Sequence, residues 1–416
     1  MGIEQLLPPF FIAWEFFRHL VRSKFRLLIN SPIRWSFLLA IWWIVPIAWL
    51  GGEHVDIFIK ESATVFSQFF ILVLLWNTIH SRDDWRRLVR GLIVLAVYVT
   101  LASLIYLSGA WRGQLLSTIG RVLPSNLIED SAFFGSIAVR IFGVPSFEIP
   151  LLSSRLYSFA LGAGPLSILC LLLIPFVCWR MNFSRGIARF IFGVVLIGLI
   201  LSLVFSISRT AYLAFVIGIM LFVTLRLELF NKNNRMTSIL LISLTLPLLI
   251  ISGYLGFSEI QQAVQNVFVE FRYGSWITRL NIYRESYKLF WEHPIAGWGQ
   301  PIQIPGQSTV YSAGTHSSLL GILFQHGFIG FILYLGLWIS IWRLVIRGIK
   351  ERPLLKDTRL FWIVCAVALL SFNIRELTAT WWWDQLGAMT IWTIWGLVMV
   401  APRIVQQQKA GAYPAQ

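Results

Sequence analysis

The residues of this 416-residue chain best suited to chemistry are one histidine and a set of arginines. His316 stands in Gly314-Thr315-His316-Ser317-Ser318, directly before a long apolar run. Thr315 or Ser317 can cap a helix that starts there, and the positive end of such a helix, with arginines nearby, disfavours a protonated imidazole. A neutral histidine at a membrane surface is a competent general base. Alone, a histidine at a helix start is more often a capping or interface residue. Its company, Arg209, Arg279 and Arg284, favours chemistry, because guanidinium forks suit phosphate oxygens.

These arginines need elements to place them. Residues 275–293 suit a helix ended by Pro294, since the residue before proline disfavours the α region. On a helical wheel Trp276, Leu280, Tyr283, Tyr287 and Trp291 form one stripe, flanked by Arg279 on one side and by Arg284 and Lys288 on the other. Such a helix lies on the membrane or on a bundle with cations along its rim. Those cations either snorkel toward lipid phosphates or bind a particular lipid-linked substrate. His-Pro-Ile-Ala-Gly-Trp-Gly (293–299) and a Gly/Pro-rich stretch follow, a loop able to approach a ligand closely before the chain reaches His316. Arg155, ahead of Gly162-Ala163-Gly164-Pro165, reads either as a second phosphate or sugar contact or as an interfacial anchor.

Other reactive residues compete less well. His19 and His80 fall in segments assigned below to the cytoplasm, His54 and His293 are isolated, and His326 reads as a hydrogen-bonded residue inside a span, about 15 Å below His316. Trp381, Trp382 and Trp383, beside Glu376 and Asp384, read first as an aromatic belt. Cys170, Cys178 and Cys365 lie in apolar stretches and read as buried thiols. The sequence holds no HExxH, DxD or Cys/His cluster, no P-loop, no GxSxG and no nucleotide fingerprint, so no metal or cofactor is expected.

Composition says what surrounds these residues. Hydrophobic residues make up 57% and charged ones 13% of the chain, which calls for lipid as solvent. The expectation is an all-α, polytopic bundle of about ten (10–12) transmembrane helices, near 35–51, 62–79, 91–108, 157–179, 190–206, 209–225, 237–254, 316–342, 360–374 and 386–402. Residues 190–225 exceed one span, so a tight turn at Ser206–Thr210 should divide them and place Arg209 at an interface. With both termini cytoplasmic, the inside segments hold 23 of 34 Lys/Arg and 7 of 19 Asp/Glu, or +16, against −1 outside. Basic residues collect on the cytoplasmic side, so the net +15 signals a membrane protein and not a nucleic-acid partner. The whole chain then reads as one membrane domain. Residues 1–34 are an interfacial cytoplasmic segment, 131–153 is interfacial or re-entrant, and 255–315 is the large outer loop carrying the site. Glu4, Pro8, Pro9 and Glu15 interrupt the first apolar run, so no cleavable signal peptide is expected.

Three elements in order carry a resemblance: Arg209 in Ser-Ile-Ser-Arg-Thr-Ala-Tyr-Leu, Arg279 ahead of the 293–299 loop, and Thr-His-Ser-Ser-Leu-Leu-Gly-Ile-Leu-Phe-Gln-His-Gly-Phe-Ile-Gly-Phe (315–331). The chain resembles the O-antigen ligase and O-antigen polymerase superfamily, membrane glycosyltransferases of surface polysaccharide assembly. It departs from many ligases in having His316-Ser317 where they have His-Asn. The resemblance implies a metal-independent, inverting transfer at the periplasmic or extracellular face of the bacterial cytoplasmic membrane. Its donor would be an undecaprenyl-pyrophosphate-linked glycan, its acceptor a saccharide hydroxyl, and its partners a chain-length regulator or other assembly proteins. It makes His316 the base and Arg209 and Arg279 pyrophosphate clamps, with Arg284, Arg155, Tyr283 and Lys288 as further substrate contacts. Polymerisation of lipid-linked units is preferred, with ligation to lipid A core or another acceptor the alternative. A transporter of an anionic solute fits less well, because ionisable residues inside the spans are few and no repeat is visible.

Overall fold

The structure, a computed structural model, describes residues 31–50, 55–107, 114–116, 139–141, 143–145, 154–156, 163–206, 208–230, 273–304, 312–351, 356–377 and 385–412. Among the described residues the helices are α1 (Ser31–Leu50), α2 (Val55–Thr78), α3 (Arg82–Leu107), α4 (Ala163–Asn182), α5 (Gly186–Phe205), α6 (Arg209–Phe230), α7 (Tyr273–Phe290), α8 (Ser318–Lys350), α9 (Lys356–Glu376) and α10 (Gln385–Ala412). Every expected span but one coincides with one of these helices. The span expected at 237–254 lies outside the described residues, as does the interfacial segment up to residue 30. Six of the described helices are long and apolar enough to cross a membrane, and α2 and α6 hold shorter apolar runs, Thr64–Thr78 and Thr210–Arg226. The protein is a multi-pass helical membrane protein.

Burial follows the apolar pattern. In α4 every residue from Leu166 to Val177 is buried, and in α9 every residue from Leu360 to Leu369, as expected of helices apolar on all sides. Helix α5 is peripheral, with Ile187 and Phe190 79% and 72% exposed, an apolar surface suited to lipid. Cys170 and Cys365 are buried and Cys178 is half-buried, as expected. Small residues let the helices close up: a Cβ on Gly198 would stand 2.1 Å from Cγ2 of Thr100, and one on Gly218 2.4 Å from Oγ of Ser371.

The expected turn after α5 is present. Ser206 closes α5 and Arg209 opens α6, and the Tyr212 hydroxyl donates back to the Val204 carbonyl. The two helices then diverge, α5 packing on α4 and α6 on α9. Within 131–153 the described residues are not a re-entrant helix. They pair as short antiparallel strands, β1 (Gln114–Leu116) with β2 (Val139–Ile141) and β3 (Gly143–Pro145) with β4 (Ser154–Leu156). Pairing supplies the backbone hydrogen bonds that an irregular loop would otherwise leave to water.

Polar links set the register at one end of the bundle. Ser371 donates to the Ala214 carbonyl at 3.1 Å, Trp338 Nε1 to Asn373 Oδ1 at 2.8 Å, and the Tyr334 hydroxyl to the Glu376 carboxylate. At the opposite end Arg226 donates to Asn182 at 3.1 Å, Arg347 to Glu351 at 2.6 Å, and Arg403 lies 3.9 Å over the Trp76 ring.

Candidate active site

The site is built where α7 meets the broken start of α8. Gly327 has φ 64° and ψ −169°, which no α-helix contains, so α8 is two helical pieces joined at a sharp break. An unbroken helix would bond the Phe328 N–H to the Phe324 carbonyl and the Ile329 N–H to the Gln325 carbonyl. The loop 293–299 replaces both bonds. Phe328 N–H donates to Pro294 O at 2.8 Å and Ile329 N–H to Ile295 O at 3.4 Å, while Phe324 O accepts from Trp298 N at 3.0 Å and Gln325 O from Gly299 N at 2.7 Å. Trp42 Nε1 takes the next freed carbonyl, that of His326, at 2.8 Å. At membrane depth each such group left unpaired costs several kcal/mol, so the His-Pro-Ile-Ala-Gly-Trp-Gly loop is what makes the break affordable. It packs on backbone rather than waiting for a ligand: a Cβ on Gly297 would stand 2.4 Å from the Gln325 carbonyl carbon.

His326 differs from expectation. It is fully buried with its ring 3.8 Å from that of Trp43, and neither ring nitrogen has a hydrogen-bond partner. Helix spacing foresaw its burial, but its neighbours along the chain say nothing of Trp43.

Helix α7 ends at Phe290, and turns fill the residues up to Pro294. It buries Ile282, Ser286 and Phe290, which with Ile304, Ala313 and Phe324 form a small second core. The expected stripe faces the other way: Leu280, Tyr287 and Trp291 are exposed beside Arg284 and Lys288, the composition of a face laid on a membrane. Tyr283 sits at the edge between the two faces. Strands β5 (Ile302–Gln303) and β6 (Ser312–Ala313) pair and return the chain to α7. There Gly314 N–H donates to Ser286 Oγ at 2.8 Å, and its carbonyl accepts from Gln325 Nε2 at 3.0 Å.

These contacts deliver His316. Its φ of 63° is left-handed, uncommon for a residue with a side chain and costing about 1–3 kcal/mol, which the flanking contacts hold in place. The Tyr283 hydroxyl donates to the His316 carbonyl at 3.0 Å, and Ser317 caps α8 by accepting from Leu320 N–H at 3.4 Å. Serine is among the preferred N-cap residues. The His316 ring is half-buried. Burial first, and the Arg279 charge second, hold its pKa below the ordinary histidine value. Burial likewise pushes the Tyr283 phenol up, opposed by the charges of Arg279 and of Arg375.

Structure therefore brings together His316, Arg279 and Tyr283. Arg284 is exposed on the outer side of α7, and Lys288 is exposed and paired with Glu285 at 2.6 Å. Arg209 is the first residue of α6, and Arg155 stands on β4 opposite Val144. The side chains of Arg209 and Arg155 lie outside the described residues. Sequence reasoning passed over Arg375. It is 7% exposed on the last turn of α9, and its Nε donates to Ser167 Oγ at 3.3 Å. An arginine so close to the end of an apolar helix, followed by Glu376, was the available signal.

Residues 194–335 match the family model described as O-Antigen ligase. Over that segment, about a third of the chain, the protein is similar to the O-antigen ligase family. The matched segment runs from within α5 to the second piece of α8, and so takes in Arg209, α7, the 293–299 loop, His316 and the Gly327 break. A comparison with curated proteins finds no match. The match supports a membrane glycosyltransferase-like role in O-antigen assembly.

Proposed function

We propose that the protein transfers a glycan from undecaprenyl pyrophosphate to a saccharide hydroxyl at the outer face of the cytoplasmic membrane, with inversion and without a metal. The observation that carries this reading is the placement of a half-buried His316, its pKa lowered, beside Arg279 and Tyr283 at the end of the bundle opposite the basic one. The acceptor oxygen attacks the anomeric carbon and gives its proton to His316. The bond from that carbon to the pyrophosphate oxygen breaks, and its electron pair leaves with the pyrophosphate. Arg279, and Arg209 from the start of α6, would neutralise the charge that develops there. Attack opposite the leaving group inverts the sugar. Arg284, Lys288 and Arg155 are further candidates for contacts with the donor or with surrounding lipid phosphates.

Two acceptors are open to this chemistry. A second lipid-linked unit makes the protein a polymerase, acting beside a chain-length regulator. Lipid A core or another final carrier makes it a ligase, the reading favoured by the description of the matching family. Cellular glycans after deletion separate them: single units on the final carrier indicate a lost polymerase, and long chains stranded on undecaprenyl pyrophosphate a lost ligase. The transfer itself is tested with purified protein in nanodiscs and a synthetic undecaprenyl-pyrophosphate oligosaccharide. His316→Ala should abolish product formation, and retention of full activity would sink the assignment of the base.

A further inference from the structure

We propose that the end of the bundle opposite His316 holds a site for one anionic phospholipid. Arg343, Arg347 and Lys350 of α8 take its phosphate, and an acyl chain lies along the same helix. This site does not depend on the transfer reading, and its cations lie beyond the matched segment 194–335.

The cations stand four and three residues apart on the last turns of α8, so they share one face, and all three are exposed. Arg347 gives its Nε to Glu351 at 2.6 Å, which leaves its terminal nitrogens without a protein partner among the described residues. Among those residues Arg343 and Lys350 form no ion pair. Three positive charges therefore face one carboxylate. A hollow beside them makes this a site and not a scatter of snorkelling side chains. A cavity of about 300 Å³ opens between α8, α9 and α10, lined by Arg347, Glu351, Trp362 and Val405. A second, of about 360 Å³, shares Arg347 and Glu351 and adds Arg343 and Lys350. Each reaches the size of roughly 300 Å³ at which small-molecule clefts begin. Gly348 fixes the wall of the first: a Cβ there would stand 2.2 Å from ring atoms of buried Trp362, so α8 and α9 are in close contact. Basic pockets between helices of this kind bind anionic headgroups.

The occupant is a lipid rather than a soluble phosphate because the cationic face runs on into an apolar one. Ile346, Ile339 and Ile332 recur every seven residues toward the middle of α8, and all are exposed. A heptad drifts only about 20° around a helix, so they form one stripe, about 21 Å long at 1.5 Å per residue. One leaflet of a ~30 Å hydrocarbon core is shorter than that, so the stripe can carry a whole acyl chain. A zwitterionic lipid would set its own ammonium among three cations, which selects against it.

The test is native mass spectrometry of the full chain in detergent micelles, titrated with phosphatidylglycerol or with phosphatidylcholine. Wild type should bind one phosphatidylglycerol about tenfold tighter than phosphatidylcholine. Arg343→Gln with Arg347→Gln should weaken phosphatidylglycerol about thirtyfold, and Lys350→Gln about fivefold, with phosphatidylcholine unchanged. Glu351→Gln removes the carboxylate and should tighten phosphatidylglycerol. Val405→Phe fills the first hollow without touching a charge, and should weaken it. Arg185→Gln with Arg189→Gln, exposed on α5 at the same end of the bundle, is the control and should change nothing. Glycerol 3-phosphate should not displace the bound lipid; displacement would overturn the lipid in favour of a soluble anion. A wild type without preference, a control that falls as far as the site variants, or a silent Val405→Phe each overturns the proposal. If the double variant does not assemble, Lys350→Gln and Glu351→Gln decide, since impaired folding cannot shift affinity in opposite directions. Shifts of the same sign overturn the site.

Discussion

His316 is a base whose pKa is set by what encloses it. Burial and the Arg279 charge both oppose the imidazolium, so the folded-state pKa lies below the ordinary value and the neutral, proton-accepting form persists as pH falls. Activity is lost only when pH drops through that lowered value. The acid limb of kcat/KM should therefore lie below pH ~6.5, the ordinary histidine value, and a limb at or above it would contradict the assignment. Arg279→Gln should move the limb upward, because one of the two opposing causes is gone. Tyr283 acts on the backbone of His316 rather than on its ring. Tyr283→Phe removes one hydrogen bond worth about 1 kcal/mol, so kcat should fall about fivefold with KM nearly unchanged. A rise in KM alone would instead make Tyr283 a substrate contact.

At the scale of elements, the 293–299 loop and the two pieces of α8 are one unit, the loop making two backbone bonds to each piece across the Gly327 break. The glycines here have no substitute. A Cβ on Gly327, at φ 64°, would stand 2.1 Å from the Ile295 carbonyl oxygen. Gly327→Ala should cost about 2–4 kcal/mol through strain and overlap combined, and should abolish transfer because His316 no longer reaches its place. Gly193→Ala in α5, where nothing lies within 4 Å, is the matched control and should leave melting temperature and transfer unchanged or slightly raise stability. Thermal unfolding in nanodiscs reads both. Equal losses in the two variants would show that the break has no special need for glycine.

Over the whole molecule, the cations at the ends of α6 and α8 and on α10 lie opposite the His316 end, as expected of a site facing away from the cytoplasm. With cysteines introduced at exposed positions, Gln303→Cys should react with an impermeant maleimide added outside intact cells, and Glu351→Cys only after permeabilisation. The reverse pattern would overturn the orientation. Because arginines are proposed to carry the leaving-group charge, EDTA should leave the transfer rate unchanged, and a large loss would point to a metal.

Much of this protein is legible in order along the chain. Apolar runs of membrane length and the one-sided distribution of Lys and Arg determine a multi-pass bundle, a turn before Arg209 and a distinguished His316, because both signals are local and depend only on which residues border lipid. Tertiary structure alone decided which face of α7 is buried, since two faces were apolar and only the partners Ile304, Ala313 and Phe324 choose between them. It decided that His-Pro-Ile-Ala-Gly-Trp-Gly completes a broken helix, because a backbone bond between residues thirty apart leaves no trace in local pattern.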